Sequence, residues 1–195
     1  KEIKINTRNV EPHHLAHLAV TAQIMDNLGI ELNTVVLRST LEAYKNEPGR
    51  LTRHKIGSHL VIDDAYNASP ESMEAAFESL QYHGMKDAIA CIAPVNELGP
   101  DAPHFHERIG QTLAESGVFR LVLLLGPHSE DIRRGIKSVV DTESDPMDII
   151  LCDGLDDMFD ALVSRLEEGD TILLKGSNSY RLGTLRNKLE EAIHD

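Results

Sequence analysis

The chain has 195 residues, enough for one large domain or for one domain with a piece of another attached. Its hydrophobic fraction of 41% is ordinary for a globular protein, and with 4% aromatics and no Trp the core is expected from Leu, Ile, Val and Ala. A net charge of -13 repels phosphate backbones and excludes nucleic acid as a bulk partner, though not a local basic pocket for one nucleotide.

The first fifty residues read as helical. One helix is expected from Glu11 to Leu28, with Gly29 as its stop, and a second from Leu32 to Tyr44. Such a pair is too small for a core of its own. EPGR, residues 47 to 50, reads as a connector, and a boundary is expected between Arg50 and Lys55, giving units 1–52 and 53–195.

From about residue 57 short apolar runs alternate with helical patterns. Strands are predicted at His59–Ile62, Ala88–Ala93, Arg120–Leu125, Asp148–Cys152 and Thr171–Lys175. Helices are predicted at Pro70–Tyr82, with Met73, Ala76, Phe77 and Leu80 on one face, and at His104–Ser116, Glu130–Val139, Leu155–Glu167 and Arg181–His194. The polar stretch 142 to 146 reads as a loop. Five alternations with short connections predict an α/β, Rossmann-like fold: a mainly parallel sheet of five or six strands flanked by helices, with an N-terminal helical segment. Ligands of such sheets gather at the carboxyl ends of the strands. There lie Asp63-Asp64, Pro94 to Glu97, Gly126-Pro127-His128, Asp153-Gly154 and Gly176-Ser177-Asn178.

Several of these stretches could carry chemistry. Asp63-Asp64 could cap a loop, or could receive ribose hydroxyls, a metal or an ammonium group, since ionised carboxylates only accept hydrogen bonds. LLKGSNS, residues 173 to 179, ends a strand in a close-approach glycine and small hydroxyl residues, either as an ordinary turn or as a seat for a carboxylate or phosphate. No G-x-x-x-x-G-K-[ST] loop occurs in the chain, and no G-x-G-x-x-G follows the first strand, which argues against a dinucleotide fold of the NAD type. His104 with His106, and His13 with His17, lack a third ligand and are read as surface residues rather than metal sites. Cys91 and Cys152 lie in or at the end of apolar runs without C-x-x-C spacing, and are read as buried free thiols in a reducing compartment. With no apolar run of membrane-span length and no signal-peptide pattern, the expected localisation is cytoplasmic. Arg50 is either a solvated connector residue or, if the linker folds over a nucleotide, a phosphate contact.

Taken in order, the motifs resemble those of the Mur ligase family, nearest the MurF type. IDDAYNASPESM resembles the family's D-D-S-Y-N-A-N-P-x-S-M, EPGR its interdomain P-G-R, and KGSNSYRL its K-G-S-R-S-x-x-[LM]. NELG with His106 to Gly110 resembles its E-L-G and H-x-x-[VI]-G pair. Thr7 to Val10, with the Ala-rich helix and Leu28-Gly29, resembles a segment near the end of the family's central domain. The resemblance implies a Mur-ligase C-terminal domain preceded by the helical end of a central domain, with the ATP-binding loop and most Mg²⁺ ligands on the missing part of that central domain and an N-terminal domain also missing.

By the resemblance, the complete enzyme uses ATP and Mg²⁺ to phosphorylate a carboxylate substrate, a UDP-muramoyl peptide or similar, and an amino acid or dipeptide attacks the acyl phosphate. Arg50 and Asp64 would contact ATP, at phosphate and ribose, while Asn67, Lys175, Ser177 and Ser179 would lie near the amine substrate. The isolated chain would be inactive. The family's V-L-G-D-M is here Cys91 to Val95 with Ala93 and Pro94 at its Gly and Asp, and the Arg of K-G-S-R is Asn178. These departures fit a different acceptor, or a binding module that kept the fold and lost the chemistry.

Overall fold

All five apolar runs are strands in the computed structural model, and a sixth strand precedes them. Residues 12–31, 33, 35, 39, 46–140 and 147–194 are described. The segment Thr7 to Val10, the side chain of His13, the loop 142–146 and, but for residues 33, 35 and 39, the expected helix Leu32–Tyr44 lie outside them. The chain divides into two units, Lys1–Asn46 and Glu47–Asp195.

In the first unit α1 covers Pro12–Asn27. It ends where Gly29 turns left-handed at φ 69°, so that Gly29 N–H reaches Asp26 O and Ile30 N–H reaches Met25 O. These two bonds satisfy carbonyls that the last turn leaves open.

The second unit is one six-stranded sheet in the order β1-β2-β6-β3-β4-β5. β1 (Thr52–Ile56) pairs antiparallel with β2 (His59–Asp64); β3 (Ala88–Ile92), β4 (Phe119–Leu125), β5 (Asp148–Cys152) and β6 (Thr171–Lys175) are parallel to β2 and to one another. β1 is not among the predicted strands. TRHKI carries two basic residues and only one buried apolar residue, Ile56, so it lacks the run that marks a two-sided core strand. Its polarity suits the edge it occupies.

Period-two alternation splits each central strand between two cores. Ile62, Ala90, Ile92, Val122, Leu124 and Leu173 face one side, under α2 (Pro70–Tyr82), α3 (Ala102–Glu115) and α4 (Ser129–Val139). Val61, Ile89, Cys91, Leu123, Ile172 and Leu174 face the other, under α5 (Leu155–Ser164) and α6 (Gly183–His194). The chain changes face after β5, because β6 returns past β4 and β3 to insert beside β2.

Three helix ends shift by two or three residues from the expected bounds, for local reasons. α3 begins at Ala102, after a 3-10 turn at Gly99–Asp101. α5 stops at Ser164, and Asp170 then holds the Glu167 N–H. α6 starts at Gly183 because Asn178–Tyr180 is a 3-10 turn followed by a left-handed Arg181. α2 starts as its SPES sequence requires: Ser69 and Ser72 form a reciprocal capping box, with Pro70 in the first turn.

α3 and α4 touch backbone to backbone. A Cβ on Gly135 would lie 1.8 Å from the Glu107 carbonyl oxygen, and one on Gly110 would lie 2.1 Å from that of Ile132. Ala is elsewhere the better helix former by up to about 1 kcal/mol. Here the obstacle is a rigid backbone, so Gly135→Ala is expected to lower stability by about 3 kcal/mol. Urea unfolding of the two proteins checks this; a gain in stability would refute the close packing.

Candidate functional site

Four segments meet at the carboxyl edge: the connector 47–51, the β2 end at Asp63 to Asn67, the β3 end at Pro94 to Asn96, and the β6 end at Lys175 to Ser179. The insertion of β6 beside β2 brings them together. Asp64 is directly opposite Lys175 in the β2–β6 register, and Ile92 lies opposite Lys175 on the other side.

Lys175 is 1% exposed, and its Nζ lies 2.6 Å from Asp64 Oδ2. Burial pulls its ammonium below the ordinary lysine range, and the Asp64 carboxylate opposes that pull. The other Asp64 oxygen accepts the Leu51 N–H at 3.0 Å. One carboxylate therefore ties the connector, β2 and β6.

The neighbouring acid does different work. Asp63 is buried at 4% and takes Arg186 of α6 at 3.0 Å and its own loop's Ala65 N–H at 3.2 Å. Adjacent strand residues face opposite sides, so the two carboxylates separate: Asp63 anchors α6, and Asp64 points to the connector.

The connector is held at three points. Gly49 O accepts the Tyr66 N–H at 3.0 Å, Leu51 N–H reaches Asp64, and the Arg50 guanidinium sits 4.6 Å from the Tyr66 ring centroid. Gly49 has φ 72°, and a Cβ there would come within 3.1 Å of Tyr66. Leu51 is left-handed too, at φ 51°. Arg50 and Asn67 are exposed.

On the β6 side, Gly176 is needed for contact: its Cβ would stand 2.6 Å from the Ala93 Cβ and 2.9 Å from the Ala93 oxygen. Asn96, from the β3 end, then holds both serines of the motif. Its backbone N–H donates to Ser177 Oγ and its side-chain amide to Ser179 Oγ, each at 2.9 Å. A hydroxyl that accepts keeps its own proton to donate, so two O–H donors stand side by side. Asn178 donates to Tyr66 O at 2.9 Å.

Of the residues singled out in the sequence, Asp64 and Lys175 gather at the connector that carries Arg50, and Ser177 and Ser179 at Asn96 of the β3 end. Asn96, Tyr66 and Asn178 were not singled out as contacts. Asn96 and Asn178 are polar residues in loops at strand ends, but their partners come from strands whose adjacency is set by the late insertion of β6.

The histidines separate as well. His104 is exposed as expected, but His106 is not the surface residue expected from the sequence: it is fully buried, where its Nδ1 donates to Ala102 O at 2.6 Å and its Nε2 accepts the Val95 N–H at 3.0 Å. Burial lowers its tendency to protonate. Its ring stacks on His128 at 4.3 Å, and His128 in turn meets Asp131 at 2.8 Å. His106 is thus a neutral brace for the β3 end. Among the described residues no three of His, Cys, Asp and Glu group as a metal ion requires. Cys91 and Cys152 are buried free thiols, both pushed up by burial. No helix among the described residues is long and apolar enough to cross a membrane.

The profile of the family described as "Mur ligase, glutamate ligase domain" matches residues 49–178. The UDP-N-acetylmuramoyl-tripeptide–D-alanyl-D-alanine ligase of Synechocystis sp. is 30% identical over 179 residues, which are 91% of this chain and 37% of that protein. The crystal structure of MurF ligase from Thermotoga maritima in complex with ADP superposes with a TM-score of 0.74 at 25% identity, over 95% of this chain and 39% of that one. MurF from Acinetobacter baumannii shares the fold, with a TM-score of 0.79 at 22% identity over 96% of this chain and 39% of its own. The chain thus spans well under half the length of the relatives it matches.

Asp64→Asn removes the charge facing a buried ammonium, an arrangement that costs about 3 kcal/mol near neutral pH. Unfolded lysine binds its proton up to its ordinary pKa of about 10.4, while the buried one releases it earlier. In the difference between the two proteins the unfolded value cancels, so the cost is full while the variant's Lys175 is protonated in the fold and fades as pH rises from the variant's folded pKa to the parent's, both below the ordinary value. Denaturant titrations from neutral to alkaline pH check this; a loss that does not change with pH would contradict the pairing.

Proposed function

Because the chain belongs to the Mur ligase, glutamate ligase domain family, we propose that it is the C-terminal domain of a MurF-like, ATP-dependent ligase of peptidoglycan precursor synthesis in the cytoplasm. The ligase joins a carboxylate, a UDP-muramoyl peptide or close analogue, to an amino acid or dipeptide. Bound ATP with Mg²⁺ supplies the phosphoryl group that activates the carboxylate; this domain supplies position and charge. The observation that carries the reading is the meeting of connector, DDAYN and KGSNS segments at one sheet edge, tied by Asp64 and Lys175.

The residues fit a nucleotide on one side and an amine substrate on the other. Asp64 accepts the Leu51 N–H on one oxygen and the Lys175 ammonium on the other, and an ionised carboxylate is the kind of acceptor that a ribose hydroxyl requires. The Arg50 guanidinium carbon lies over the Tyr66 ring, 4.6 Å from its centroid, and guanidinium N–H donors suit phosphate oxygens. The hydroxyls of Ser177 and Ser179, oriented by Asn96, suit the carboxylate of an amino acid or dipeptide, with exposed Asn67 nearby in the DDAYN loop. Lys175 acts through Asp64: its ammonium holds one oxygen of that carboxylate in place. The central and N-terminal domains of the ligase would bring the phosphate-binding loop, which these 195 residues do not contain.

A changed acceptor is favoured by one observation. Asn178, at the motif's Arg position, spends its amide on Tyr66 O and cannot give a carboxylate the planar fork of an arginine.

The 195-residue chain alone is expected to hydrolyse no ATP. In the full-length ligase, Arg50→Ala is expected to raise the KM for ATP about 10- to 100-fold through loss of a charge-assisted phosphate contact. Steady-state kinetics checks both. ATPase activity of the isolated chain at the full ligase's rate would overturn the reading.

A further inference from the structure

We infer that Tyr66 is a positioning residue for Arg50, and that the Asn178–Tyr66 bond joins its setting to the 177–179 loop. This rests on the reading of Arg50 as the phosphate contact.

Tyr66 is 53% exposed, so burial of its ring does not explain the residue. Its N–H and its ring instead meet the connector, and its carbonyl meets the 177–179 loop. Its N–H donates to Gly49 O at 3.0 Å, which fixes the connector one residue before Arg50. Its ring lies 4.6 Å from the Arg50 guanidinium carbon. Its carbonyl accepts from Asn178 at 2.9 Å, next to the serines that Asn96 orients.

An exposed arginine otherwise samples many rotamers and loses that freedom when it binds phosphate. A ring under the guanidinium removes part of that loss before the ligand arrives, and holds the fork in one plane. Arg50 also lies on the same body as the serine loop. Leu51 N–H is fixed by Asp64 and Gly49 O by Tyr66, so both neighbours of Arg50 are tied to β2 and its loop. Asn178→Ala removes the tie from the serine loop, and its effect is expected in the KM for both ATP and the amine substrate.

The test uses the full-length ligase with Tyr66→Phe, Tyr66→Leu, Arg50→Ala and the Tyr66→Leu/Arg50→Ala double variant. Tyr66→Leu is expected to raise the KM for ATP about fivefold with kcat nearly unchanged, and Tyr66→Phe to restore the parent value. In the Arg50→Ala background Tyr66→Leu is expected to add nothing. In this chain alone, the Arg50 Nε–H NMR resonance is expected to shift in Tyr66→Leu and not in Tyr66→Phe. If Arg50→Ala raises KM but Tyr66→Leu adds its full effect on top, Tyr66 acts independently and the inference fails alone. If Arg50→Ala leaves the KM for ATP unchanged, the functional reading fails and takes the inference with it. An Arg50 resonance indifferent to Tyr66→Leu would overturn the stacking itself.

Discussion

A lysine with 1% of its side chain exposed can hold its charge only beside an opposite one, and Lys175 has a single acid opposite it in register, Asp64. That pairing ties the chain's order to its function. It requires β6 to lie against β2, which in turn sends the β5–β6 connection back across the sheet and puts α5 and α6 on the face that α2, α3 and α4 leave open. The same carboxylate reaches the Leu51 N–H, so the connector is fixed by the strand that β6 pins. Buried ion pairs add little net stability compared with an apolar pair of the same shape. Their value here is specificity: only one strand register satisfies both charges.

The site divides its labour accordingly. Of the residues that touch a ligand in the proposed reading, Arg50, Asn67 and Ser179 are exposed, Asp64 is half-buried and Ser177 is buried. The groups that set them are mostly buried or backbone: Lys175 behind Asp64, the Gly176 contact with Ala93, the His106 brace on Val95. His106 illustrates how a motif histidine can be structural. Both ring nitrogens are occupied, its charge is disfavoured by burial, and it carries the β3 end at the height where Asn96 meets the serines.

Much of this could be read from residue order. Continuous apolar runs such as Ala88–Ile92 and Phe119–Leu125 mark strands covered on both faces, and Ser69-Pro70 marks a helix start. The motif segments could be placed at the carboxyl edge by the alternation alone. Three things could not. β1 is polar because it is an edge strand, so its pattern does not stand out from a linker. Strand order is a tertiary choice; no local signal in TILLK says that it passes β4 and β3 to reach β2. Finally, Asp63 and Asp64 are chemically identical in the sequence, and only the pleat decides which meets Arg186 and which meets Lys175.

The most direct measurement is a double-mutant cycle in urea between Asp64→Leu and Lys175→Met, with stability read at neutral pH. Each single change leaves one charge without its partner; together they leave an apolar pair. The expected result is a coupling of at least about 2 kcal/mol, with the double variant more stable than either single one. Additive losses would contradict the central claim, since they would mean that Asp64 and Lys175 stand at this edge independently of one another.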